Sequence, residues 1–121
     1  NCVRFYDRIV YDDAYNGLAL DNDEGDRIAA ALGSRDVMFM GNHGILVVGQ
    51  SLANAWDDLY YLERACENQV LALSTGLPLR EIPTQLVQAA KNQILDSPAY
   101  GERHLEALQA VLEREEPDYR L

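Results

Sequence analysis

Two apolar runs separated by a very short turn, with a long amphipathic run straight after them, constrain this chain more than anything else in it. Asp36-Val37-Met38-Phe39-Met40-Gly41 reads as one strand and Ile45-Leu46-Val47-Val48-Gly49 as the next. Both are nearly continuous in apolar residues, which predicts burial on both faces. Only Gly41 to Gly44 separates them. That is too short for a crossover helix, so the pair is expected to be an antiparallel hairpin. Its tip carries Asn42-His43-Gly44, with His43 at one end of the sheet. A histidine between two buried strands can be aimed at one point, as a metal ligand must be. Neutral imidazole has to present one ring nitrogen at about 2.0–2.1 Å from zinc. A histidine satisfied within the turn is the commoner case for the residue type alone, so both readings stand here.

Ser51 is a suitable N-cap for a helix running to Thr75. Leu52, Trp56, Leu59, Leu62, Cys66, Val70 and Leu73 recur at three- and four-residue steps and predict one buried stripe. Ser74-Thr75-Gly76 and Pro78 end it. At 1.5 Å per residue this helix is about 36 Å long. Ala55, Tyr60, Leu71 and Ala72 lie off the stripe, so a second face is expected to meet a neighbouring subunit.

The flanking sequence is plainer. Arg8 to Tyr11 is a short strand candidate. Asn22 or Asp23 can cap a helix through Asp26, Ile28, Ala29 and Leu32 that stops at Gly33. The acidic residues there lack the spacing of a calcium loop and suit a solvated helix start. Pro83 opens a further helix through Leu86, Val87, Ala90 and Ile94, and Ser97-Pro98 breaks it. Glu102 to Glu115 carries Leu105, Leu108 and Leu112, with Pro117 as its stop.

Composition narrows the partners. The chain has 121 residues, 48% of them hydrophobic, and a formal net charge of −10. Nucleic-acid backbones and anionic membrane surfaces are disfavoured partners for so acidic a chain. No apolar run reaches the ~18 residues of a membrane helix. Cys2 and Cys66 have no ligand-like spacing, and Cys66 reads as a small core residue, which suits a reducing cytoplasm. The first residue is Asn1 rather than methionine, which favours a piece of something longer.

The run Gly41-Asn42-His43-Gly44-Ile45-Leu46-Val47-Val48-Gly49 is followed by Ala53-x-Ala55-x-Asp57-Asp58-Leu59-Tyr60-Tyr61-Leu62-Glu63-Arg64-Ala65-Cys66 and by Gln69-Val70-Leu71-Ala72-Leu73. In that order these segments resemble the class II aldolase/adducin family, and in wording its adducin-like and decarboxylase-like members. The resemblance implies an α/β fold of three α/β/α layers around a largely antiparallel central sheet. Residues 1–121 would then form a single domain, the C-terminal portion of a class II aldolase/adducin domain. Enzymes of the family hold a divalent metal, most often zinc, through three histidines. The histidine of the Asn-His-Gly motif is one of them and matches His43, while a His-x-His pair and an acidic catalytic residue lie upstream. This chain has no His-x-His, and its second histidine, His104, falls on a polar, exposed helix and is assigned no role. No catalytic residue is assigned. What the resemblance implies is a cytoplasmic, homotetrameric, metal-dependent lyase of the aldehyde-lyase kind. It would act on a small oxygenated substrate by aldol cleavage or decarboxylation through a metal-stabilised enolate. The alternative is a non-catalytic interaction domain of the adducin kind.

Overall fold

The computed structural model describes residues 2–14, 16, 17, 20, 22–97 and 99–120. The chain divides into two compact units. One runs from Phe5 to Val48, and the other comprises the residues before Phe5 together with those from Gly49 onward. Among the described residues the fold is mixed α/β, with four α-helices and a three-stranded sheet.

In the first unit, β1 (Ile9–Asp12), α1 (Asn22–Leu32), β2 (Val37–Met40) and β3 (Gly44–Val47) follow one another. The hairpin β2–β3 is antiparallel, as its short connection requires, with Met40 opposite Gly44 and Val37 opposite Val47. β1 lies parallel to β2 on the other side, Ile9 opposite Val37 and Asp12 opposite Met40, with α1 in the crossover. β2 is therefore the central strand, and its Val37 and Met38 are fully buried. β1 is offset by one residue from Arg8–Tyr11. Arg8 stays at its mouth, where its carbonyl accepts from the Val37 N–H and its Nε donates to Asp36 Oδ2 at 2.8 Å. α1 begins at Asn22, so Asn22 and Asp23 lie inside the first turn rather than at the cap. There Asp23 and Glu24 suit the positive end of the helix dipole. The helix ends on Gly33, whose φ of 57° and N–H bond to the Ala29 carbonyl make the left-handed stop that glycine permits.

The second unit holds α2 (Leu52–Ser74), α3 (Thr84–Leu95) and α4 (Ala99–Glu115), with a short 3-10 turn at Pro117–Arg120, while a further 3-10 turn, Cys2–Phe5, ends on the first residue of the first unit. The Ser51 hydroxyl accepts the Asn54 N–H and caps α2, and Thr75 closes it, as its sequence predicts. The approach to this helix is tight at Gly49. A Cβ there would lie 2.6 Å from the Ala55 backbone nitrogen, so no larger residue fits. Pro83 directly precedes α3 and gives it no side-chain cap. α4 begins three residues earlier than Glu102, and its Gly101 sits closely on the start of α2. A Cβ on Gly101 would be 3.1 Å from the Ala53 carbonyl oxygen.

The expected stripe of α2 is not its covered face. Of its seven residues only Leu62 is fully buried, while Leu52 is 80% and Val70 66% exposed. The buried positions are Ala53, Asp57, Asp58 and Leu62, the side on which α4 packs. Periodicity shows which residues share a face. It does not show which face meets a neighbour when charged groups supply the contact.

Candidate functional site

The Asn-His-Gly motif is first a piece of turn geometry. Asn42 takes φ 57°, the left-handed region that asparagine tolerates better than most residues, and Gly44 takes φ 147°, where a side chain would be strained. The His43 N–H donates to the Met40 carbonyl at 3.2 Å and closes the hairpin. The asparagine and the glycine are thus explained by the backbone, and the exposed imidazole of His43 is the group they hold out.

Beside it is a recess of about 40 Å³, lined in part by Asp12, Glu24, Arg27, Met40 and His43. That is room for about one water molecule, not for a substrate. Its charges are organised by Arg27 of α1. The guanidinium reaches Asp12 Oδ2 at 2.8 Å and Glu24 Oε1 at 2.8 Å. Hydrogen bonds from Arg27 hold both carboxylates below their ordinary range, and the same bonds raise the arginine further above its own. Two acids bound so firmly to a guanidinium are poor donors to a metal ion. Among the described residues no group of three His, Cys, Asp or Glu is placed to hold one. The described residues therefore do not form a complete metal site, and His43 can contribute at most a single ligand to one.

The second unit holds a site that the sequence did not reveal. Arg4 bridges Asp57 Oδ2 at 2.6 Å and Asp58 Oδ1 at 2.9 Å, and all three side chains are buried. Asp57 Oδ1 lies 2.7 Å from Nδ1 of His104. A carboxylate paired with Arg4 only accepts, so the ring donates and Nε2 lies on the side away from Asp57. Three aromatic rings hold the imidazole. Trp56 and Tyr60 meet it edge to face with centroids 4.6 and 4.9 Å away, and Tyr61 lies at 5.8 Å. His104 is thus a part-buried member of an ion-paired cluster, not the exposed helix histidine its polar surroundings suggest. Its α4 neighbours are polar, but its partner lies 47 residues earlier, a separation that no local pattern reports. A cleft of about 520 Å³ opens beside the cluster, lined by Arg4, Asp57, Tyr61 and His104 and by residues of α3 and α4. Cys66 is half-buried, and burial pushes its thiol up; Cys2 and Cys66 are both free.

The model of the class II aldolase and adducin N-terminal domain matches residues 1–70. The chain belongs to the class II aldolase/adducin family. A protein of Pseudomonas aeruginosa that carries the aldolase class 2 name is 36% identical over 112 residues, covering 88% of this chain and 43% of that protein. Decarboxylase NovR of Streptomyces niveus is 37% identical over 94 residues, covering 77% of this chain and 34% of the relative. The crystal structure of an aldolase II superfamily protein from Pseudomonas syringae superposes with a TM-score of 0.81 at 38% identity, over 98% of this chain and 48% of that one. The chain thus spans less than half the length of each of these members of the class II aldolase/adducin family. Their names place aldolases and a decarboxylase, both lyase chemistries, among its kin. Among the described residues no helix is long and apolar enough to cross a membrane.

Proposed function

We propose that this chain forms part of a metal-dependent lyase that cleaves or decarboxylates a small oxygenated substrate, with His43 as one imidazole ligand of a divalent ion, most simply zinc. The observation that carries this is the hairpin tip. Asn42 and Gly44 take up the backbone conformations of the turn, and the exposed histidine between them stands at the end of the sheet whose central strand is buried at Val37 and Met38. The other ligands would come from outside these 121 residues, since His104 is engaged with Asp57. What such an ion supplies when bound is Lewis acidity toward a substrate carbonyl, the charge sink that aldol cleavage and decarboxylation through an enolate both require.

The complete protein would be a cytoplasmic homotetramer. Both cysteines are free, which suits a reducing compartment. Leu52, Val70, Leu71 and Leu73 of α2 are all more than half exposed, which is surface of the kind that a symmetric neighbour covers. A second reading is supported by the family itself, whose shared domain is that of adducins as well as aldolases. In it, the domain is a non-catalytic interaction module of the adducin kind.

One preparation separates the two. Full-length protein and its His43→Ala variant are compared for zinc content by elemental analysis and for mass by light scattering. The lyase reading expects about one zinc per protomer in a tetramer, and loss of most of it in the variant with the fold unchanged. Equal metal content in both sinks the ligand assignment, a metal-free wild type supports the interaction module, and a monomer mass refutes the assembly.

A further inference from the structure

The cleft of the second unit has the features of a binding site that the lyase reading does not use. It is open, and at about 520 Å³ it lies within the range of small-molecule pockets. Part of its wall is apolar, from Ile94 and the rings of Tyr61 and Tyr100. Its acid is already engaged, because Asp57 is bound by Arg4 on one oxygen and by His104 on the other. What is left to meet a ligand is Arg103. The chain carries 20 Asp and Glu against 10 Lys and Arg. Every other arginine except Arg80 has a carboxylate partner, whereas Arg103 has none among the described residues. In so acidic a chain, an arginine that lines a cleft and forms no ion pair even with Glu102 and Glu106 of its own helix is an open anion contact.

We propose that this cleft binds a small monocarboxylate with an apolar body. Arg103 pairs with the carboxylate, and the body lies against Tyr61, Ile94 and Tyr100. A guanidinium matches a carboxylate through two parallel N–H donors, and the tyrosine faces reward a flat or aliphatic body with buried area. His104 is the reporter. It lines the cleft and is one of two histidines in the chain, so a His43→Asn spectrum assigns its ring signals unambiguously.

The test is titration of the full chain with benzoate, followed by the His104 ring resonances in NMR and by calorimetry. Saturable binding is expected with a Kd of about 1 mM or below. Arg103→Gln, an exposed position whose change leaves the fold intact, is expected to weaken it about tenfold. Benzamide, which keeps the ring and loses the charge, and inorganic phosphate, which keeps the charge and loses the body, are each expected to bind at least tenfold more weakly. The proposal is overturned if benzoate gives no saturable shift, if Arg103→Gln binds it as well as the parent chain, or if benzamide or phosphate matches it.

Discussion

The chain builds the same small device twice, and the two copies differ in how much water reaches them. In each, one arginine joins two carboxylates. In the first unit Arg27 holds Asp12 and Glu24, and the arginine side chain is 31% exposed although Asp12 beneath it is only 9% exposed. In the second, Arg4 holds Asp57 and Asp58 with its side chain only 9% exposed, and the carboxylates are buried as deeply. Distances are alike, between 2.6 and 2.9 Å, so geometry does not distinguish them. Solvation does. An exposed pair gains little, because water would have served each charge nearly as well. A buried one gains little over an apolar replacement, yet its disruption is costly, because the remaining charge has nowhere to go.

The largest expected effect follows from that asymmetry. Arg4→Gln takes the guanidinium away and leaves Asp57 and Asp58, adjacent and buried, without the cation that joins them. A loss of about 3–5 kcal/mol in unfolding free energy is expected from denaturant titration, the range found when one partner of a buried pair is removed. A loss under about 1 kcal/mol, the scale of an exposed pair, would show that water enters the cluster and would erase the contrast with Arg27.

The buried device also depends on close helix packing, which the open one does not. Gly101 lets α4 approach α2 where His104 reaches Asp57. In Gly101→Ala the new methyl would stand 2.8 Å from Asn54 Nδ2 and 3.1 Å from the Ala53 carbonyl oxygen. The amide can turn away, but the backbone oxygen can move only with its helix. Overpacking costs about 1–3 kcal/mol, and the better helix propensity of alanine returns about 1. A net loss of about 1 kcal/mol is expected, together with a change in the His104 ring resonances as its contact with Asp57 lengthens. Unchanged resonances would mean that the cluster tolerates helix movement and is held by Arg4 alone.

These two clusters mark the limit of what the sequence discloses. The hairpin, the Ser51 cap, the span of α2 and the Gly33 stop were legible because each is decided by residues within a few positions of one another. The place of His43 at the hairpin tip was legible for the same reason, since the turn that holds it is four residues long. Arg4 and Asp57 lie 53 residues apart, and on a helix two adjacent aspartates read as a solvated face. Their burial reverses the face of α2: aspartates lie inside while Leu52 and Val70 lie outside. The apolar stripe was real, but the partner that covers an apolar stripe is not written in the stripe.

The smallest expected effect concerns Arg27 and is read against pH. Asp12 and Glu24 are held below their ordinary values of 3.8 and 4.5, in each case first by the hydrogen bond from Arg27. A carboxylate that ionises more readily folded than unfolded adds stability above its unfolded value. As pH falls through that value the unfolded chain takes up protons first, and the contribution is gone once pH has dropped through the folded value. The window is therefore acidic, beginning near 4.5 and extending downward. Arg27→Gln removes the cause of both shifts. The variant is expected to fall short of the parent at neutral pH by a smaller margin than Arg4→Gln, because Arg27 itself is part-exposed, and to converge on the parent as pH falls through that window. Denaturation midpoints measured across that window at low salt decide it, since added salt screens an exposed cluster. Parallel acid limbs in the two proteins would mean that Arg27 does not set the protonation of its partners, and that the open cluster contributes as little to linkage as it does to neutral-pH stability.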